Sequence, residues 1–176
     1  MLSSLGIIQN AYVVNDIDQA IERWHTSWGT GPFLVRRHIV MDQVLYRGAP
    51  AALDISAAFV QAGPVQIEFI CQHNAAPSAF RDAFAPGQQG LHHVAVMPDD
   101  YHATVAHFVA LGFPVATELR TRSGRGASFV DTRPMLGHML EIYPRSDGLT
   151  ALYQRVAREA EHWDGRQLKI ELDGAS

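Results

Sequence analysis

Apolar and polar positions along this chain follow two different periods, and each change of period marks the boundary of an element. Residues 7–14 alternate as a strand. From Asp16 the spacing becomes helical, with Ile17, Ala20, Ile21, Trp24 and Trp28 on one face. Asp16 with Gln19 three residues on has the form of a capping box, and Gly29-Thr30-Gly31-Pro32 ends the helix. Residues 33–40 are expected as the second strand, 46–50 as a turn and 51–60 as the third strand. Ala62-Gly63-Pro64 then turns the chain into 65–70, a strand that carries Glu68 between apolar neighbours.

The same plan returns later in the chain. Residues 9–16 can be laid over residues 93–100, and both apolar strands then end at an aspartate. Behind Asp100, which is placed to cap it, comes a helix whose Tyr101, Thr104, Val105, Phe108 and Val109 share a face before Gly112 stops it. Strands are expected at 115–120 and 127–132, around a turn bearing glycine and arginine. His138-Met139-Leu140-Glu141-Ile142-Tyr143 is the counterpart of the Glu68 strand. The chain therefore reads as two degenerate copies of one βαβββ module, about 6–72 and about 90–144, joined by a polar connection at about 73–89. Two copies cannot form a solenoid. A connection of that length is expected to cover part of a site.

The predicted fold is a single α+β domain in which the tandem modules form a curled, cupped mixed sheet, followed by a C-terminal helix at about 147–165. Leu149, Leu152, Tyr153, Val156, Ala160 and Trp163 give that helix one apolar face, expected to pack on the domain or on a second subunit. Lys169-Ile170-Glu171-Leu172 carries no clear signal.

Composition acts mainly by exclusion. A chain of 176 residues suits two modules sharing one core. With 18% charged residues and a net charge of −4, nothing favours a polyanion, and nucleic acid is not an expected partner. No apolar run reaches the roughly eighteen residues that span a bilayer, and the first residues lack the pattern of a signal peptide. A cytoplasmic location without membrane contact is the expectation. Cys71, the single cysteine, rules out an internal disulfide and reads as a small core residue.

The candidate chemistry lies at equivalent places in the two copies. Gln9 and His93 sit at the start of the first strand, Glu68 and Glu141 inside the last. If the two curled halves face each other across a pseudo-twofold, the four side chains converge on a divalent cation such as Zn, Ni, Co, Mn or Mg. The two carboxylates balance its charge. Two adjacent coordination positions then remain for a substrate offering neighbouring oxygens. His92 is expected on the opposite sheet face and structural. Arg36 and Arg122 are candidates to grip a carboxylate, phosphate or thioester tail, and His73 and Asn74 are further candidates for substrate binding.

The paired βαβββ pattern, with His93-Val94-Ala95-Val96 opening the second copy and a glutamate in each last strand, resembles the vicinal oxygen chelate superfamily of glyoxalase I, methylmalonyl-CoA epimerase, extradiol dioxygenases and bleomycin-resistance proteins. The resemblance covers about residues 6–144. The order Gln9, Glu68, His93, Glu141 is similar to the metal set of one glyoxalase I class. It implies a metal-dependent lyase or isomerase that shifts a proton next to a carbonyl through an enediolate or enolate. Glu141 or Glu68 is the general base, with Glu141 favoured by the resemblance. Methylmalonyl-CoA epimerase typically has histidine in place of Gln9 and glutamine in place of Glu68. Dioxygenases use two histidines and a glutamate for iron, so the lack of a histidine at position 9 argues against that chemistry. The implied substrates are 2-oxo compounds, hemithioacetals or acyl-CoA esters, although residues 27–33 depart from the usual glyoxalase I stretch. Alternatives are an epimerase-like acyl-CoA isomerase, a metal-free small-molecule-binding protein of the bleomycin-resistance kind, and an interaction module working through its tail helix. A homodimer is the expected assembly.

Overall fold

The computed structural model describes residues 5–39, 41–120 and 126–172. The first half runs β1 (Ile7–Val13), α1 (Ile17–Trp28), β2 (Phe33–Arg36), β3 (Gln43–Tyr46), β4 (Ala49–Pro50), β5 (Ile55–Ala62) and β6 (Val65–Gln72). After α2 (Ala79–Ala83) the second half runs β7 (Gly90–Val96), α3 (Tyr101–Ala110), β8 (Val115–Arg120), β9 (Gly126–Val130), α4 (Arg133–Leu136) and β10 (Met139–Ile142). Then come α5 (Asp147–Glu161) and β11 (Lys169–Glu171). The helix starts follow from sequence: Asp16 accepts from the Gln19 amide, Asp100 from Ala103 and Ser146 from Leu149. Gly29 closes α1 in the left-handed region, at φ 66°.

Among the described residues the strands form one mixed sheet in the order β11-β2-β5-β6-β1-β7-β10-β9-β8-β3-β4. Its middle repeats itself. β2-β5-β6-β1 and β7-β10-β9-β8 are the same arrangement, meeting at the antiparallel β1–β7 seam. Ile17 and Ile21 of α1 pack with Phe33, Val35, Ile67 and Phe69 on one face, and α3 sits similarly over Val94, Val96 and Ile142. The opposite face gathers Ala11, Leu34, Phe59, Phe80, Phe129 and Met139 from both halves into one cluster.

The hairpin of β3 and β4 forces the sheet to curl. β2 and β3 are separated by eight strand spacings in the sheet order, about 38 Å if flat. The seven residue steps from Arg36 to Gln43 reach at most about 25 Å. The edges must therefore approach each other, and Ile39 and Met41 between them pack against the concave cluster.

Two sequence expectations change here. The strand expected at 33–40 ends at Arg36, and the region read as a turn is a hairpin that pairs with β8, from Gln43 opposite Arg120 to Tyr46 opposite Thr117. Its partner lies in the other half, so a local reading had nothing to fix its register. The tail is the second change. Its helix stops at Glu161, and Lys169–Glu171 adds a parallel strand beside β2. Arg37 clamps that edge, at 2.9 Å from Asp18 and 3.0 Å from Glu171. Among the described residues no helix is long and apolar enough to cross a membrane.

Candidate metal centre and cavity

Strand register places the four predicted ligands. Across β6, β1, β7 and β10, one row of the sheet reads Gln66, Gln9, Ala95, Glu141 and a second reads Glu68, Ala11, His93, Met139. The rows are two residues apart on each strand, so both present side chains to the same face. Each row carries one ligand type from each half.

These side chains are buried: Gln9 is 1% exposed, Glu68 6%, His93 0% and Glu141 3%. His93 Nε2 lies 2.9 Å from Glu141 Oε2 and 3.6 Å from Glu68 Oε2. Gln9, Glu68 and Glu141 line one cavity of about 130 Å³, roofed by apolar side chains that include Phe59, Phe80, Phe129 and Leu152. Removing two carboxylates from water costs several kcal/mol each unless a positive charge meets them. Without a metal that charge is a proton. Burial works against an imidazolium at His93, but Glu141 and Glu68 outweigh it and hold its pKa at about 9. Burial pushes the Glu68 carboxyl up to about 7; His93 opposes that rise and the charge on Glu141 adds to it.

Three atoms of the quartet fit a cation better than they fit each other. Gln9 Oε1, His93 Nε2 and Glu141 Oε2 are buried and lack a hydrogen bond of proper direction. The neighbouring bonds hold these atoms in that state. Gln9 spends its amide nitrogen on Gln66 Oε1 at 2.6 Å, which turns its carbonyl oxygen away. His92 Nε2 donates to the Ala79 carbonyl at 3.0 Å, so its Nδ1 is an acceptor for the Nδ1–H of His93, 2.8 Å away. That bond leaves the lone pair of a neutral His93 on Nε2, the atom facing the carboxylates. Burial, with the charge of His93 acting the same way, keeps His92 neutral by pushing its pKa well below the usual value.

His92 meets its neighbour because β7 is bulged. Ala11 pairs with His93, but Tyr12 pairs with Leu91, leaving His92 as the extra residue. The expected alternation fails, and both imidazoles pack against Phe129. The inter-module connection also reaches the site, since α2 supplies both the Ala79 carbonyl and Phe80.

The other predicted substrate contacts separate. Arg36 lines the cavity, whereas Arg122 lies outside the described residues. His73 joins His38 and Asp54 in a second group with ligand atoms within 4.8 Å of one another. Its atoms are already committed. Ser56 Oγ accepts from the His38 amide and shares a hydrogen bond of 2.7 Å with His73 Nε2, and His38 Nδ1 pairs with Asp54. Asn74 braces its loop by donating to the Ala52 carbonyl and accepting from Gln72.

Sequence reasoning does not assign the part that four side chains play here. Gln66 was detectable, since Gln66 and Glu68 share a face of β6 while Ile67 and Phe69 fill the other. His92 was hidden by its bulge. Tyr143, which bonds Glu141, and Tyr153 of α5 both line the cavity; the first stands in the sequence only as the end of the Glu141 strand and the second as one of the apolar face of its helix.

Comparison with known proteins agrees with this architecture. A methylmalonyl-CoA epimerase from Mycobacterium tuberculosis matches with a TM-score of 0.52 at 18% identity, over 86% of this chain and 97% of that one. A hypothetical protein from Bacillus halodurans matches at 0.56 and 14%, over 82% and 97%. A Streptomyces coelicolor methylmalonyl-CoA epimerase variant in complex with 2-nitronate-propionyl-CoA matches at 0.50 and 16%, over 81% and 99%. No curated protein sequence matches the chain. The sequence profile of the glyoxalase, bleomycin resistance protein and dioxygenase superfamily matches residues 8–130, and the chain belongs to that superfamily.

Proposed function

We propose that the chain is a divalent-metal-dependent isomerase, or a lyase of the related glyoxalase type, that moves a proton on a carbon next to a carbonyl. The observation that carries this reading is the set of buried atoms Gln9 Oε1, His93 Nε2 and Glu141 Oε2, none of them in a well-directed hydrogen bond although the last two lie 2.9 Å apart, with Glu68 beside them. An ion held by Gln9, Glu68, His93 and Glu141 would polarise the carbonyl and stabilise negative charge on the enolate oxygen. The chain's own groups do the rest. Tyr143 and His93 brace Glu141, which suits it to a fixed position. Glu68 has only the longer 3.6 Å contact with His93 and is the carboxylate proposed to take the proton. This reverses the order that the resemblance favours. The apolar lining keeps water from the carbanion.

Two substrate classes follow from the reading. One is a 2-oxo compound or its hemithioacetal. The other is an acyl-CoA ester, since the fold neighbours include a methylmalonyl-CoA epimerase in complex with methylmalonyl-CoA and ammonium. The test is elemental analysis of wild type and His93→Ala, followed by NMR of deuterium entry at the carbon next to the carbonyl for both classes. About one equivalent of metal, lost in the variant, with exchange in wild type only, is the expected result. Protein that takes up no Zn²⁺, Ni²⁺ or Mg²⁺ overturns the proposal in favour of a metal-free binding protein.

A further inference from the structure

The helix α5 follows the residues matched by the superfamily profile, yet it closes the cavity. Val156 is fully buried in the concave cluster and Leu152 packs against it, which fixes the helix on β5 and β6. Leu149, Leu152 and Tyr153 thereby become lining residues of the space that holds Gln9, Glu68 and Glu141.

Of the three lining residues that α5 supplies, Tyr153 is the one with a polar side-chain atom. Its hydroxyl is buried without a hydrogen-bond partner, although a buried hydroxyl left unpaired costs about 1–3 kcal/mol. The other phenol of the cavity, Tyr143, already bonds Glu141. Burial, with the charges of Glu141 and Glu68 adding to it, raises the Tyr153 pKa, so the phenol keeps its proton. A neutral phenol is a donor for an oxygen that becomes negative. Leu149, Leu152, Ile39 and Met41 around it supply none, and the other donor-bearing side chains of the lining are Gln9, Tyr143 and Arg36.

We propose that Tyr153, delivered by α5, is a further catalytic residue, whose phenol donates a hydrogen bond to the oxyanion that forms on the substrate opposite the metal quartet. The proposal rests on the reading of this cavity as a metal-dependent active site. It also narrows the substrate class. The enolisable end must be compact, with an apolar body against Ile39, Met41 and Leu152 and an oxygen within reach of Tyr153.

The test uses acetohydroxamate, which presents two adjacent oxygens with developed negative charge, and the full-length protein loaded with Zn²⁺. Wild type, Tyr153→Phe and Tyr143→Phe are titrated by calorimetry, first with Zn²⁺ and then with acetohydroxamate. Tyr153→Phe should bind Zn²⁺ within about twofold of wild type and acetohydroxamate about 10- to 100-fold more weakly. Tyr143→Phe, which frees Glu141, should weaken Zn²⁺ itself. Equal acetohydroxamate affinities in wild type and Tyr153→Phe overturn the role of Tyr153 and leave the metal site standing. Absence of Zn²⁺ uptake in wild type overturns the reading of the site, and the inference with it. If Tyr153→Phe does not fold, the tyrosine absorbance of wild type decides. A red shift on adding acetohydroxamate supports the donor role, and an unchanged spectrum refutes it.

Discussion

His92 and His93 are joined Nδ1 to Nδ1 at 2.8 Å, a contact between sequence neighbours that a regular strand does not allow. The bulge turns His92 onto the site face, and the Ala79 carbonyl settles which of its nitrogens carries the proton. His92→Phe keeps the ring volume beside Phe80 and Phe129 but removes the acceptor for His93. Zinc affinity, measured by chelator competition, should fall about 10- to 100-fold. Unchanged affinity would mean that His93 needs no orienting partner.

The two glutamates should separate by phenotype. Glu141→Gln should lose metal, because the substitution removes the carboxylate charge that stands 2.9 Å from His93 Nε2. Glu68→Gln should keep a measurable metal content while proton exchange on carbon slows by about 10²- to 10⁴-fold. Metal analysis and deuterium exchange on the same preparations decide it. The reverse pattern would make Glu141 the base.

Stability of the metal-free protein should fall as pH rises. The Glu68 pKa is raised from 4.5 to about 7 and that of His93 from 6.5 to about 9, so both groups hold protons more tightly folded than unfolded. Their contribution is complete below the lower unfolded value. It is lost progressively between about pH 4.5 and pH 9. Scanning calorimetry of chelator-treated protein should show a falling midpoint across that window, and saturating Zn²⁺ should raise the midpoint most at the alkaline end, where binding displaces fewest protons. A flat profile would mean that the carboxylates are not held as described.

Gly126 is a packing constraint on the cavity wall. A Cβ there would strike the Leu119 carbonyl oxygen, in the neighbouring strand of the β8–β9 pair. Gly126→Ala should destabilise by about 1–3 kcal/mol and shift the thermal midpoint down by roughly 3–10 °C. A midpoint unchanged by the substitution would show that the strands part there without cost.

The sequence made the repeat legible because each half marks its start with a strand, an aspartate cap and a helix of strict period. The quartet was legible for the same reason: Gln9 and His93, like Glu68 and Glu141, stand at matching places in the two halves. What escaped had no local signature. The β3 strand depends on β8, about seventy residues away. The His92 bulge breaks the period that would have revealed it, and Tyr153 differs from a core tyrosine only in what lies across the cavity.

The hairpin of β3 and β4 also bears on how the chain comes off the ribosome. Gln43–Tyr46, paired on one side with Ala49–Pro50, finds its second neighbour only after Val115–Arg120 has been made, and Phe33–Val35 finds its outer neighbour only when Lys169–Glu171 arrives. The early half must wait with two strand edges unsatisfied, the condition in which nascent chains stick to one another. Such distant pairings also slow folding. The early half released alone should therefore need a chaperone where the whole chain does not, and the cavity is among the last things the molecule completes.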